Sequence, residues 1–315
     1  MVMQVTKYKD LISNPDEIVR RIDWFFNANV FKRKYIKRKL KHITMLLDTQ
    51  TQGISKTLAT KGVREEDMIS LLEKYLKPGS TIIDCGSNIG FYPMLQAHIM
   101  ENQGEIVCIE PDPRNYKLLV KNLELVDPRV KMHSFNIAIS DKAGRLKLDV
   151  SAESNLNKIT YSPENVTDGV KVIDVEVDTV DSIVKKLDLS PDFLRMDIEG
   201  HEVEVIAGMT DTIRNAKAGF IIFFELHPSV YNDDHSMVNQ LNKLFEAGFE
   251  CEVLVSAGVP QPKLYKDLGY TPEKVIKSDG MERGIYYNVS RDDAIKLATA
   301  TPKTSRYILL KKNEG

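Results

Sequence analysis

The sequence predicts an α/β fold: a mostly parallel sheet of Rossmann-like winding with helices on both faces, led by a helical segment. Three observations carry that reading. From residue 77 onward, short apolar runs alternate with amphipathic stretches of helical length, as strands joined by crossover helices do. The first of these runs, 81–85, passes directly into a glycine-containing loop and a helix-length segment, a join at which α/β folds seat ligands. A chain of 315 residues that is 42% hydrophobic and 28% charged also has enough apolar surface for a packed core.

Residues 1–76 read as a basic helical region. Asn14, Pro15 and Glu17 supply an N-cap, a first-turn proline and a glutamate at the third helical position. Ile18, Ile22, Phe25 and Phe26 then share a face. Across 31–47, Ile36, Leu40, Ile43 and Leu47 keep a helical stripe, with Lys32, Arg33, Lys34, Lys37, Arg38, Lys39 and Lys41 on the other faces. A third helix over 65–76 stops at Lys77-Pro78-Gly79.

The core region is 77–257. Strands are expected at 81–85, 106–109, 130–135, 193–197, 220–226 and 249–255, with helices over 90–100, 113–126, from 202 and near 237–247. Residues 140–178 interrupt this order with two alternating runs, 145–150 and 171–177, read as an inserted antiparallel extension. The stretch 258–304 is rich in proline and glycine, with one short helix near 292–298, and is expected to cover a substrate site. Residues 305–315 hold a closing strand of the sheet.

Charge is unevenly spread: residues 1–75 carry 15 Lys and Arg against 9 Asp and Glu, the remainder 28 against 36. The net charge of −2 argues against a protein built to coat nucleic acid. Cys85, Cys108 and Cys251 are scattered among apolar runs, which suits a reducing compartment and suggests neither a disulfide framework nor a zinc site. No apolar run approaches the roughly 20 residues of a membrane span, and no signal peptide is evident. The expectation is a soluble, cytoplasmic chain, in which the glycosylation sequons at Asn165 and Asn288 are chance matches.

The loop after the first strand reads Asp84-Cys85-Gly86-Ser87-Asn88-Ile89-Gly90. A dinucleotide loop has three glycines in the order Gly-x-Gly-x-x-Gly and sets phosphates over the helix dipole. Here an aspartate holds the first position, and the last glycine comes four after Gly86. A carboxylate at the strand tip repels a pyrophosphate but accepts an amino group or a sulfonium, and S-adenosylmethionine has both. Glu110, 20 residues past Gly90 at the end of the next strand, is in register to grip two ribose hydroxyls, with Asp112 beside it. Asn136 and Ala138 follow the third strand, where an adenine edge falls. The cofactor set expected is Asp84, Gly86, Ser87, Asn88, Gly90, Phe91, Glu110, Asp112, Asn136 and Ala138.

On these residues the chain resembles the FkbM-type methyltransferase family. The likeness runs through Thr81 to Tyr92, Glu110-Pro-Asp-Pro, Asn136-Ile-Ala-Ile-Ser-Asp, Leu194-Arg-Met-Asp-Ile-Glu-Gly-His-Glu and Phe224-Glu-Leu-His. It covers about 62–256, and the Asp-x-Glu-Gly-x-Glu segment is its most specific part. The resemblance implies a class I methyltransferase fold, S-adenosylmethionine as donor, and O-methylation of a small molecule, sugar or glycolipid. It has no counterpart for the N-terminal segment or for 258–304.

Ligands of open α/β sheets bind at the carboxyl ends of the strands. Asp197, Glu199 and His201 arrive there together, as do Glu225 and His227 one strand over. Asp197 is the first expectation for the reaction centre, sharing strand parity with Glu199. His227 is the expected general base, its ordinary pKa leaving it neutral at cell pH, with His201 next. Two carboxylates and His227 could bind a divalent metal, but no spacing favours it, and metal ligands are assigned as none. The Asp197 segment lacks the Asn/Asp-Pro-Pro-Tyr/Phe pattern of base-nitrogen methylation, which favours oxygen as acceptor. Two other readings stand beside this one: a non-catalytic module docking an anionic partner or surface through the basic N-terminal helices, and a nucleotide-dependent dehydrogenase. The sequence leaves the oligomeric state open.

Overall fold

The computed structural model describes residues 15–51, 53–151, 157–160 and 171–313; the expected cap at Asn14 and the sequon at Asn165 lie outside these. Helix α1 (Pro15–Phe25) runs on through a π-helical turn, Phe26–Val30. The helix expected over 31–47 is instead an antiparallel hairpin of β1 (Tyr35–Lys39) and β2 (Thr44–Asp48). The reason is arithmetic. A four-residue spacing is one helical turn and also two strand repeats, so Ile36 and Leu40 share a strand face as readily as a helix face. Met45 and Leu47 do the same on the return strand, and all four are buried. Helices α2 (Ile54–Lys61) and α3 (Glu66–Tyr75) follow, the second of them as expected.

Among the described residues, the central sheet has nine strands. At its heart β3 (Thr81–Cys85), β4 (Gly104–Ile109) and β5 (Val130–Phe135) pair in parallel to one side, and β10 (Phe193–Met196) and β11 (Ile221–Glu225) to the other. The closing strand β15 (Ser305–Lys312) runs antiparallel between β11 and β12 (Phe249–Ser256). Helices α4 (Phe91–Ile99) and α5 (Pro113–Leu123) link the first strands, and α9 (Met237–Glu246) precedes β12. The segment 258–304 is less irregular than its composition suggests. It contains the helix α11 (Arg291–Thr299) and a hairpin of β13 (Lys274–Ser278) and β14 (Met281–Tyr286), which extends the sheet past β12. The insertion forms, among the described residues, a separate four-stranded sheet from β6 (Ala138–Ile139), β7 (Gly144–Val150), β8 (Lys158–Thr160) and β9 (Lys171–Asp178). Among the described residues, no helix is long and apolar enough to cross a membrane.

Alternate residues of the central strands feed two cores. Ile82, Ile106, Phe193 and Phe223 pack on one face, and Ile83, Val107, Leu194 and Phe224 on the other. Strands covered on both faces are continuously apolar. Against that rule Arg195 is conspicuous: it lies in a fully buried strand, directly opposite Asp84 in register. Its Nη1 is 3.4 Å from Asp84 Oδ1, and its Nη2 donates to Asp197 Oδ2 at 2.8 Å. The guanidinium also stacks on Tyr92, 3.8 Å from the ring centroid. The sheet order reverses between β3 and β10, which makes the crevice at their carboxyl ends the topological switch point.

Replacing Arg195 by Met strands the buried Asp84 carboxylate and the half-buried one of Asp197, so unfolding in urea near pH 8 is expected to show a loss of about 3–5 kcal/mol. Near pH 5 the loss should shrink, because burial already raises the pKa of Asp84 and the stranded groups then take up protons. An equal loss at both pH values would mean that Arg195 acts through packing alone.

Candidate active site

Two clefts open at the switch point and share four residues: Gly86, Asn88, Asp197 and Glu199. The first is walled by apolar side chains, Ile109 and Ile137 from the sheet tips, with Leu148 and Ile159 from the inserted sheet. Asn157, Lys158 and Glu110 add polar groups to it. Glu110 Oε2 accepts the Asn88 N–H at 2.9 Å, and Oε1 accepts the Asp112 N–H at 2.9 Å and the Asn115 amide at 3.4 Å. Burial nevertheless outweighs these donors and pushes the Glu110 carboxyl up to about 8.

The loop between the clefts can form only with glycine. Gly86 has φ +83°, and a Cβ there would stand 2.2 Å from the Asp197 carbonyl oxygen. The Gly86 and Ser87 amides donate to Ile109 O at 3.0 and 2.9 Å, which ties the tip of β3 to that of β4.

The second cleft, of about 350 Å³, is within the range of small-molecule sites. Charged side chains dominate its wall. Glu65 is paired with Arg64, accepts from Tyr92 Oη, and accepts Arg306 Nη2 at 2.8 Å. Burial works against ionisation of Glu65, but the two guanidinium groups win and hold its pKa at about 2. Lys303 Nζ donates to Glu225 Oε1 at 2.8 Å. The hairpin of 258–304 stands behind this wall: Asp279, at its turn, accepts the Glu65 N–H at 3.3 Å and faces Arg306 at 3.4 Å.

Asp197 and Glu199 meet at the junction for a different reason than shared parity. Strand β10 ends at Met196, and Glu199 and Gly200 turn the chain with φ of +55° and +103°. The Glu202 carboxylate closes that turn, facing the Ile198 and Gly200 amides, each at 3.4 Å. The same Oε1 lies 3.2 Å from His227 Nδ1, and His227 Nε2 is 3.7 Å from Glu199 Oε2. Burial pulls the imidazole pKa down, but Glu202 and Glu225 raise it to about 9. This pairing favours the cationic imidazole at neutral pH over the neutral form expected from sequence. Glu199 is raised to about 7 by burial and by Asp197, with His227 opposing.

Of the other sequence-predicted residues, Ala138 lines the first cleft, and Ser87, Phe91 and Glu225 line the second. Five stand elsewhere. Asp84 is wholly buried, its oxygens taken by Gln96 at 2.7 Å, Ser87 at 2.9 Å and Arg195, so it lines neither cleft. Asp112 caps α5, accepting the Arg114 N–H at 2.8 Å. Asn136 braces the backbone, donating to Glu110 O and Pro111 O at 2.9 and 3.0 Å. His201 is buried against Ser140 Oγ at 2.9 Å, outside both clefts. Gly90 gives α4 close passage beside Leu119 rather than lining a cleft. Among the described residues, no cluster of three or more His, Cys, Asp or Glu side chains is placed to hold a metal ion.

Sequence reasoning missed Arg64, Glu65, Arg195, Lys303 and Arg306. Only Arg195 left a legible sign, as a charge within an otherwise apolar strand.

Comparison with known proteins adds an independent line. The chain is 30% identical over 181 residues to 2-O-methyltransferase NoeI of Sinorhizobium fredii, covering 53% of this chain and 70% of that protein. It is 25% identical over 169 residues to hexuronic acid methyltransferase AglP of Haloferax volcanii, covering 53% of this chain and 64% of that one. The chain thus spans less than two thirds of the second relative. The solved structure of methyltransferase FkbM from Methylobacillus flagellatus KT is 16% identical, with a TM-score of 0.35, over 67% of this chain and 44% of that one. The family model for the methyltransferase FkbM domain matches residues 84–251, from the buried aspartate of the glycine loop to β12. With more than half of its length matched, the chain belongs to the FkbM methyltransferase family.

Proposed function

We propose that this chain transfers a methyl group from S-adenosylmethionine to a hydroxyl oxygen of a sugar-like acceptor. The observation that carries the reading is the meeting of an apolar cleft and a charged cleft at Gly86, Asn88, Asp197 and Glu199. The first cleft, about 70 Å³ in this structure and so in need of widening, is assigned to the donor by the chemistry of its lining. Its apolar walls suit a purine, and Glu110 Oε2, which takes one backbone N–H, keeps a lone pair for a ribose hydroxyl. Asp197 and Glu199 offer negative charge to an ammonium or sulfonium group. The charged cleft suits a polyhydroxylated acceptor, in keeping with one relative named for a hexuronic acid and another named as a 2-O-methyltransferase.

When bound, the donor supplies a methyl group already activated by its sulfonium. The protein must then align an acceptor oxygen, exclude water and take one proton. Glu199 suits that last task. It lines both clefts, and a carboxyl near pKa 7 is ionised in useful part at neutral pH while remaining a competent acceptor. His227, held cationic by Glu202, keeps Glu199 from rising further and fixes one of its oxygens. Lys303 and Arg306, tethered by Glu225 and Glu65, bind and orient acceptor hydroxyls. Family membership sets aside the dehydrogenase, and a carboxylate poised between two clefts favours turnover over a docking module.

Glu199→Gln is expected to lower kcat by about 10²–10⁴, measured with isotopically labelled donor against a panel of neutral and uronic sugars. The wild-type rate should fall as pH drops through about 7, the range in which Glu199 takes up a proton. His227→Ala removes a cation that lowers the pKa of Glu199, so the acid limb should move to higher pH. An unmoved limb would place the base elsewhere.

Donor affinity tests the other cleft. The ionised Glu110 is the form that accepts ribose hydroxyls, so binding of S-adenosylhomocysteine should tighten as pH rises and level off above about 8. Glu110→Gln should weaken binding by about 10- to 100-fold and flatten that pH dependence. Titration calorimetry reads both effects, and wild-type affinity in the variant would remove the ribose assignment.

A further inference from the structure

Twelve large apolar side chains are exposed among the described residues, and six of them fall between positions 19 and 31. They are Val19, Ile22, Phe25, Phe26, Val30 and Phe31, each between 45% and 64% exposed. Trp24 and Asn27 are buried and seat α1 and its π-helical turn on the protein, which leaves this apolar face outward. The three phenylalanine rings form one continuous patch, with centroids 5.9 Å apart for Phe25 and Phe26 and 6.4 Å for Phe26 and Phe31.

The surroundings of the patch are cationic. Residues 15–41 hold nine Lys and Arg against three Asp and Glu. Two of those acids are already engaged, Glu17 by Arg21 and Asp23 by Arg38. Lys32, Arg33, Lys34, Lys37, Lys39 and Lys41 are all exposed, the first three following directly on Phe31.

We infer that this face docks the protein on an anionic lipid bilayer. Outward phenylalanines beside a run of lysines match the two contributions that hold an interfacial helix, apolar insertion and attraction to anionic headgroups. Charge complementarity excludes a second copy as the natural occupant, since a symmetric pairing would bring two cationic patches together. A nucleic acid satisfies the charge but has no partner for Val19, Ile22 and Val30. The docking face belongs to the same unit as the charged cleft: α1 packs on α2, whose first residue, Ile54, lines that cleft, and Arg64 follows soon after. Docking through this face would hold the cleft near the membrane surface, whatever reaction occurs there.

The test is co-sedimentation of the full chain with vesicles of phosphatidylcholine, with and without phosphatidylglycerol. The expected result is binding only to the vesicles with phosphatidylglycerol, released by added salt. Two variants separate the contributions: F25S/F26S/F31S and K32E/R33E/K34E. Each should keep the wild-type circular dichroism spectrum and S-adenosylhomocysteine affinity. The charge reversal should lower partitioning about a hundred-fold and the apolar change at least about ten-fold. The inference is overturned if the wild type ignores vesicles or binds both kinds alike, or if either folded variant still binds as the wild type does. It is equally overturned if sedimentation velocity shows self-association that the phenylalanine variant abolishes, which would make the occupant a second copy.

Discussion

Arg195 holds the two halves of the site together. It sits in β10 opposite Asp84 in β3, and it reaches Asp197 just beyond its own strand. A guanidinium in a dry sheet is costly unless its partners are fixed and charged. Those partners are the aspartate before the glycine loop and the aspartate before the turn of Glu199. The switch point is where a doubly wound sheet leaves a crevice by topology. Arg195 spans that crevice from below and sets the distance between the two loops that line it. Gly86 completes the constraint, since its missing Cβ lets the first loop rest on the Asp197 carbonyl.

The parts added to the core each build on that frame. The inserted sheet lends Leu148 and Ile159 to the apolar cleft, so an edge extension becomes part of a binding wall. The N-terminal segment delivers Arg64 and Glu65 to the charged cleft. The late hairpin reaches them from behind: Asp67 of α3 meets Arg283 of β14 at 3.2 Å, and Asp279 meets both Glu65 and Arg306. Two stretches far apart in sequence thus support one wall. The sequence suggests 258–304 as the cover of a substrate site, but the long-range ion pairs that join the two stretches leave no periodic trace.

What the sequence made legible follows the same division. Strands buried on both faces are apolar but for a single charge such as Asp84 or Arg195, so β3, β4, β10 and β11 were readable, and the glycine loop marked the ligand end of the sheet. Period failed where it was degenerate, as at Ile36 and Leu40, whose spacing serves helix and strand alike. The β13–β14 hairpin did carry a sign: Asp279-Gly280 is a strong hairpin-turn dipeptide, outweighed by the prolines and glycines around it. Individual site residues were less legible than the loops that bear them. Asp84, Asp112 and Asn136 stand in the right places along the chain, but their side chains turn inward to cap and brace.

The charge states in the charged cleft show why a residue's ordinary chemistry is a poor guide to its role. Taken alone, a histidine is the natural base at neutral pH and a glutamate is not. Glu202 inverts that order. Buried at the closing of the turn and 3.2 Å from the imidazole, it can stay ionised only beside a cation, and His227 is the cation it has. Once His227 is charged, its other nitrogen faces Glu199, whose burial and whose neighbour Asp197 would otherwise drive it further toward the neutral acid. The three groups form a chain in which each fixes the charge of the next. In the proposed reaction the proton therefore goes to the carboxylate between the two clefts, and the imidazole tunes it.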